Sequence, residues 1–232
     1  MAEWDAAGYA SRSGLQRAMA DEVLALLDLN GTERVLDIGC GDGKITAEIA
    51  ARVPRGSVIG VDSSHEMISF AFSHYTTEIQ PNLRFEVCDA RSLPFGEEFD
   101  LVVSFNALHW LPEQDMALHS IRVAMKSGGV AQLRLVPAGE RKSLEDVIEE
   151  TRLSPRWNRY FRNFRDPYLH LTPDQYRTLA ERNGVGVRRI HTEAKAWNFE
   201  TRSVFFAFGA VTFVEWPRFL PEPEKPAFVT DV

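Results

Sequence analysis

Apolar positions alternate along the chain between two rhythms. Short continuous apolar runs at Val35–Ile38, Ser57–Asp62, Asn82–Cys88, Leu101–Phe105 and Val130–Val136 predict buried strands. Between them the spacing is helical: Leu15, Met19, Val23, Leu26 and Leu27 share a face before a stop at Asn30-Gly31, and Lys44–Arg52 and Gln114–Met125 follow the same rule. Strands alternating with helices predict an α/β fold around a parallel sheet, because a crossover helix is the short way to bring the next strand in parallel. Further along, Ser154-Pro155 opens and Asp166-Pro167 ends a short predicted helix, with Trp157, Tyr160, Phe161 and Phe164 on one arc and Arg156, Arg159, Arg162 and Arg165 across the other half. Thr172–Gly184 reads as a capped helix, and from Arg189 the alternation of Ile190, Thr192, Ala194 and Ala196 with charged neighbours predicts an edge strand. Thr201–Trp216 is apolar on all sides, which suits a buried helix and a buried strand equally.

Length and composition narrow this to one domain spanning 1–232. The chain has 232 residues and an ordinary globular composition, enough for a single sizeable core. A formal net charge of −7 argues against general nucleic-acid binding, which needs a basic face to displace counterions. The expected partner is a small molecule, and neither nucleic acid nor membrane. Met1-Ala-Glu-Trp-Asp5 lacks a basic segment followed by an apolar run, and the reading is cytoplasmic. Two cysteines, Cys40 and Cys88, make no disulfide framework and are expected to be reduced.

The most informative stretch is Val35-Leu-Asp-Ile-Gly-Cys-Gly-Asp-Gly-Lys44, a strand, a glycine turn and a helix start. Glycine permits positive φ and lets a ligand lie against bare main chain, and the helix that follows points free N–H groups over the turn. A dinucleotide fingerprint asks for glycine at the first, third and sixth positions, whereas Gly39, Gly41 and Gly43 occupy the first, third and fifth, with Lys44 sixth. Asp37 before the turn also suits an ammonium better than two phosphates. These residues resemble the first motif of the class I S-adenosylmethionine-dependent methyltransferases. The resemblance implies a Rossmann-like, doubly wound, mostly parallel sheet with helices on both faces, a small helical cap insertion at about 138–183, and S-adenosylmethionine as cofactor, with S-adenosylhomocysteine as product and no metal.

About 23 residues after Gly39 stands Asp62, where a carboxylate meets ribose hydroxyls in doubly wound folds, although an acid before Ser63-Ser64 also suits a helix cap. The resemblance further implies that Asp37, Gly39, Cys40, Gly41, Ser63 and Asn106 border the cofactor. It implies as well that Met67 packs against adenine, although core packing is the commoner role for such a methionine taken alone, and that Asp89 and Ala90 read the adenine edge. The N-terminal segment is similar to that of the trans-aconitate and juvenile-hormone-acid type carboxyl methyltransferases. On that similarity Tyr9 covers the cofactor and Gln16 hydrogen-bonds a substrate carboxylate. At the end of the fourth predicted strand, Asn106-Ala-Leu-His109-Trp110 faces the reaction, with Trp110 as a carboxylate contact and His109 as a candidate general base.

The expected activity is therefore methyl transfer to a small acceptor, most simply a carboxylate oxygen of an acid with an apolar body. A carboxylate is ionised at neutral pH and needs no base. A phenol, amine or carbon acceptor would instead need His109. A cofactor-binding protein without catalysis and a nicotinamide oxidoreductase are the other classes. The family usually continues with a further helix and an antiparallel strand. No clear candidate for either follows Trp216, so the apolar final third is expected to find cover elsewhere, for instance on a second copy of the chain.

Overall fold

The computed structural model describes residues 14–213 and 215–232. Five parallel strands form one sheet in the order β3-β2-β1-β4-β5: β1 (Arg34–Ile38), β2 (Ser57–Asp62), β3 (Leu83–Val87), β4 (Phe99–Phe105) and β5 (Met125–Arg134). Four helices accompany them: α1 (Gly14–Ala25), α2 (Lys44–Arg52), α3 (His65–His74) and α4 (Gln114–Ala124). Alternation along the strands supplies a core on each face. Leu36, Ile38, Ile59, Val61 and Val102 pack with Ala117, Ile121 and Ala124 of α4, while Val35, Val58, Leu83 and Val103 pack with Leu24 of α1 and Ile49 and Ala50 of α2. Strand order reverses between β1 and β4, and ligands of such sheets bind at that crevice.

The helical and strand periods hold closely through this half. The Lys126-Ser-Gly-Gly129 stop is a difference of detail: β5 begins before it, and the register slips there, Phe99 facing Met125 but Leu101 facing Val130. Gly128 at φ 79° carries the extra residues as an irregularity inside the strand.

The rest of the chain departs further from expectation. Leu144–Leu153 is a helix (α5) with a capping box, in which Ser143 Oγ accepts from Asp146 N at 3.1 Å and Asp146 Oδ2 accepts from Ser143 N at 2.8 Å. The helix read from Ser154 to Asp166 is instead a chain of turns with one short 3-10 segment, Asn158–Tyr160. Its aromatic stripe is structural. Trp157 and Phe161 are buried, with Tyr160 and Phe164 packed against them, in a separate aromatic core shared with Ile148, Phe213, Trp216, Leu220 and Phe228. That core takes in part of the final third of the chain, Phe213, Trp216, Leu220 and Phe228, while Trp197 and Val204 stay exposed. The helix α6 (Pro173–Arg182) matches its caps, with Thr172 Oγ1 accepting from Gln175 N. Residues 189–196 form no strand, because only Ile190 brings a sizeable apolar side chain to the expected inner face and the segment is mostly exposed. Thr201–Trp216 resolves to helix α7 (Arg202–Thr212), and α8 (Lys225–Asp231) does follow Trp216. Replacing Ser143 by Ala should remove about 1 kcal/mol of stability, read as a fall of a few degrees in melting temperature.

Candidate active site

At the carboxyl ends of β1 and β4 lies a half-open cleft. Its floor is the turn after β1. Gly39, Gly41 and Gly43 stand at φ 73°, 55° and 80°, where a Cβ is strained, and Gly39 N and Cys40 N both donate to Val61 O, at 2.8 and 3.0 Å. A Cβ on Gly39 would come within 2.2 Å of Ala107 Cβ, so the turn can meet the end of β4 only without one. A Cβ on Gly41 would meet nothing within 4 Å, and its bare main chain borders the cleft.

Asp62 ends β2 and also lines the cleft. Its Oδ2 accepts from Gly41 N at 3.1 Å and its Oδ1 from Ser64 N at 2.9 Å, so one carboxylate ties the strand end to the glycine turn. Burial pushes its pKa up, against those hydrogen bonds. The cap of α3 is Ser64, whose Oγ accepts from Met67 N at 3.3 Å, which leaves Asp62 at the cleft rather than at the helix. Ser63, Met67, Ala90 and Asn106 line it too, Asn106 at φ 58°, a left-handed conformation that Asn tolerates better than most residues. Asp89 is in the wall, gripped by Arg91 through Nε at 3.0 Å and Nη2 at 2.6 Å; that ion pair holds its carboxyl below the usual range.

Three expected positions fall differently. Asp37 is buried behind the turn, accepting from Thr46 Oγ1 at 2.7 Å, and burial raises its pKa to about 7. It supports the floor and does not border the cleft. Cys40 is likewise buried and off the wall, its thiol pushed well up by burial. His109 turns away from the cleft toward the aromatic core, stacked on Tyr168 at 5.5 Å, with Nδ1 lacking any hydrogen-bond partner. Desolvation lowers its pKa to about 3, so the buried ring is a poor base and is not placed to serve as one. Tyr9 lies outside the described residues, as does the side chain of Gln16. Trp110 does line the cleft and packs on Tyr168 at 4.1 Å. The aromatic stripe of 157–164 does not reach it.

The sequence reading missed several wall residues: Cys88, Phe105, Leu108 and Leu111, and above all Pro167 and Glu215. Pro167 was a helix stop by pattern. Glu215 had a signal, as the lone acid in the otherwise uncharged run from Ser203 to Trp216. Among the described residues the lining carries three carboxylates, Asp62, Asp89 and Glu215, and neither lysine nor arginine. Such a wall suits a cationic ligand with hydroxyls and disfavours a pyrophosphate. Among the described residues there is no group of His, Cys, Asp or Glu fit to hold a metal ion, and no helix long and apolar enough to cross a membrane.

Comparison with known proteins agrees with this geometry. Residues 35–129, which carry β1 through α4, match the model of a methyltransferase domain. A protein named as a methyltransferase, 235L of Invertebrate iridescent virus 6, is 30% identical over 205 residues, covering 88% of this chain and 75% of its own. Trans-aconitate 2-methyltransferase of Deinococcus radiodurans is 36% identical over 64% of this chain, which spans only 55% of that relative's length. Among solved structures, phosphoethanolamine N-methyltransferase 2 of Haemonchus contortus with S-adenosyl-L-methionine superimposes with a TM-score of 0.57 at 25% identity, over 71% of this chain and 36% of that one. The glycine turn, the acid closing β2 and the matched length place the chain in the class I S-adenosylmethionine-dependent methyltransferases.

Proposed function

We propose that the chain transfers the methyl group of S-adenosylmethionine to the carboxylate oxygen of a small acid with an apolar body. The observation that carries the reading is the burial of His109 against Tyr168, which leaves no imidazole of the described residues facing the cleft where the glycine turn, Asp62 and Trp110 meet. The residues fit the cofactor. Bare main chain at Gly39 and Gly41 admits it closely, Asp62 accepts from ribose hydroxyls, Met67 and Ala90 give an apolar slot for adenine, and Asp89 accepts from its amine. When bound, S-adenosylmethionine supplies a methyl group activated by a positively charged sulfur.

What remains for the chain is position rather than proton transfer. An in-line displacement gains chiefly from holding the reacting atoms in register. The apolar wall of Phe105, Leu108, Trp110 and Pro167 lies against the acceptor's body, and the proposal carries over to Gln16 the carboxylate-binding role that the family resemblance implies. The burial of His109 supports a carboxylate acceptor, since the imidazole that a phenol or carbon acceptor would need faces away. The likeness to trans-aconitate 2-methyltransferase points the same way, as trans-aconitate is a carboxylic acid. The test uses S-adenosylmethionine labelled in its methyl group and a panel of small carboxylic acids. Label should enter a product that alkali hydrolyses to methanol, the behaviour of a methyl ester; an alkali-stable product would mean a nitrogen, carbon or phenol acceptor.

A further inference from the structure

Glu215 has no part in the chemistry described above, yet it forms part of the cleft wall. Its place is fixed by its neighbour. Trp216 is fully buried, donates its indole N–H to Glu149 Oε1 at 2.6 Å, and packs on Tyr168 at 5.4 Å and Trp110 at 6.4 Å. Trp110 and Pro167, the latter one residue before Tyr168, line the same cleft, so Glu215 stands on the side of Trp110, which follows β4, whereas Asp62 and Asp89 stand at the ends of β2 and β3, across β1. On the carboxylate reading the Trp110 side receives the acceptor. The Glu215 side chain is 9% exposed and is paired with Arg218 Nη2 at 3.0 Å. Arg218 is 47% exposed and is not part of the lining, so Glu215 is the member of the pair that an acceptor in the cleft meets.

We propose that Glu215 determines acceptor specificity, favouring a monocarboxylic acid whose far end bears an ammonium or hydroxyl group and rejecting acids with a second carboxylate there. The inference rests on the carboxylate reading above. An acceptor of the selected class has its own carboxylate at the methyl donor and a hydrogen-bond donor toward Glu215, whereas a dianion brings like charges together in a largely apolar cleft. Trans-aconitate, with three carboxylates, should then be a poor acceptor for this chain.

The experiment measures alkali-labile methyl transfer to three acids of one length, hexanoate, 6-aminohexanoate and adipate, with phenylpropanoate, tyrosine and trans-aconitate as further probes. The wild type should prefer 6-aminohexanoate to adipate by at least about tenfold in kcat/KM. Glu215→Gln should cut that preference to within about threefold, and Arg218→Gln should widen it. A purely structural role would shift both variants alike and leave the preference unchanged. Binding of S-adenosylhomocysteine, measured on each variant, reports an intact fold. Esters formed without charge preference, or with a preference that Glu215→Gln leaves intact, overturn the inference alone. Intact S-adenosylhomocysteine binding with no ester from any acid overturns the carboxylate reading on which it stands.

Discussion

Replacing Asp62 by Ala should weaken S-adenosylhomocysteine binding by at least about 100-fold, or ~2.7 kcal/mol, as read by calorimetric titration. The magnitude follows from chemistry at one carboxylate. Hydrogen bonds from ribose hydroxyls to an ionised acceptor contribute roughly 1.5–3 kcal/mol each, and both are lost together. A second effect adds to this. Asp62 also accepts from Gly41 N and Ser64 N, so the alanine variant loosens the turn that the ligand lies against. Asp62→Asn separates the two contributions, since its amide oxygen still accepts from one of these donors while the charge is gone. An intermediate loss of about tenfold is expected there. Unchanged affinity in both variants would place the nucleoside away from the end of β2.

The second large effect is on stability against pH, and it comes from two buried groups displaced in opposite directions. Asp37 is raised to about 7 in the folded protein, against about 3.9 when unfolded. The folded state therefore holds its proton longer, and the stability this contributes is complete below about pH 4 and lost as pH rises toward 7. His109 is lowered to about 3, against about 6.5 unfolded. Here the unfolded chain binds the proton first, so the contribution is complete above about pH 6.5 and lost as pH falls toward 3. A tenfold difference in proton affinity between the folded and unfolded chain is worth ~1.4 kcal/mol, so each group moves stability by up to about 4–5 kcal/mol across its window. Between about pH 4 and 6.5 the two slopes oppose and largely cancel in the wild type. Single variants unmask them. Denaturant unfolding of Asp37→Asn should show stability rising steeply with pH over that range, and His109→Phe should show it falling. Parallel curves for both variants and the wild type would mean that neither group is held in its neutral form.

How much of this was legible in the sequence depended on which period carried the information. Strand runs such as Val35–Ile38 and the helix Lys44–Arg52 were readable because a parallel sheet buried on both faces leaves continuous apolar runs, and because Gly39 and Asp62 are tied to one turn by local spacing. The cleft residues carried by those strand ends came with them: Gly41, Asp62, Met67, Asp89 and Asn106 all line it. What failed was whatever depends on tertiary choice. His109 and Trp110 are neighbours in a 3-10 turn, Leu108–Trp110, and no local pattern says which of them faces the cleft and which the aromatic core. Arg189–Ala196 alternates like a strand, but an edge strand needs enough apolar area to hold it on the sheet, and this mostly exposed segment lacks it. Pro167 and Glu215 reach the cleft only because an aromatic core assembles from Trp157, Tyr168 and Trp216, far apart in sequence.

The most direct test of the central claim is a crystal structure of the chain with S-adenosylhomocysteine bound. The expected result has the ribose hydroxyls within hydrogen-bond distance of the Asp62 carboxylate, adenine between Met67 and Ala90, and the sulfur facing the pocket bounded by Trp110, Pro167 and Glu215. A nucleoside bound elsewhere, or a sulfur turned away from that pocket, would contradict it.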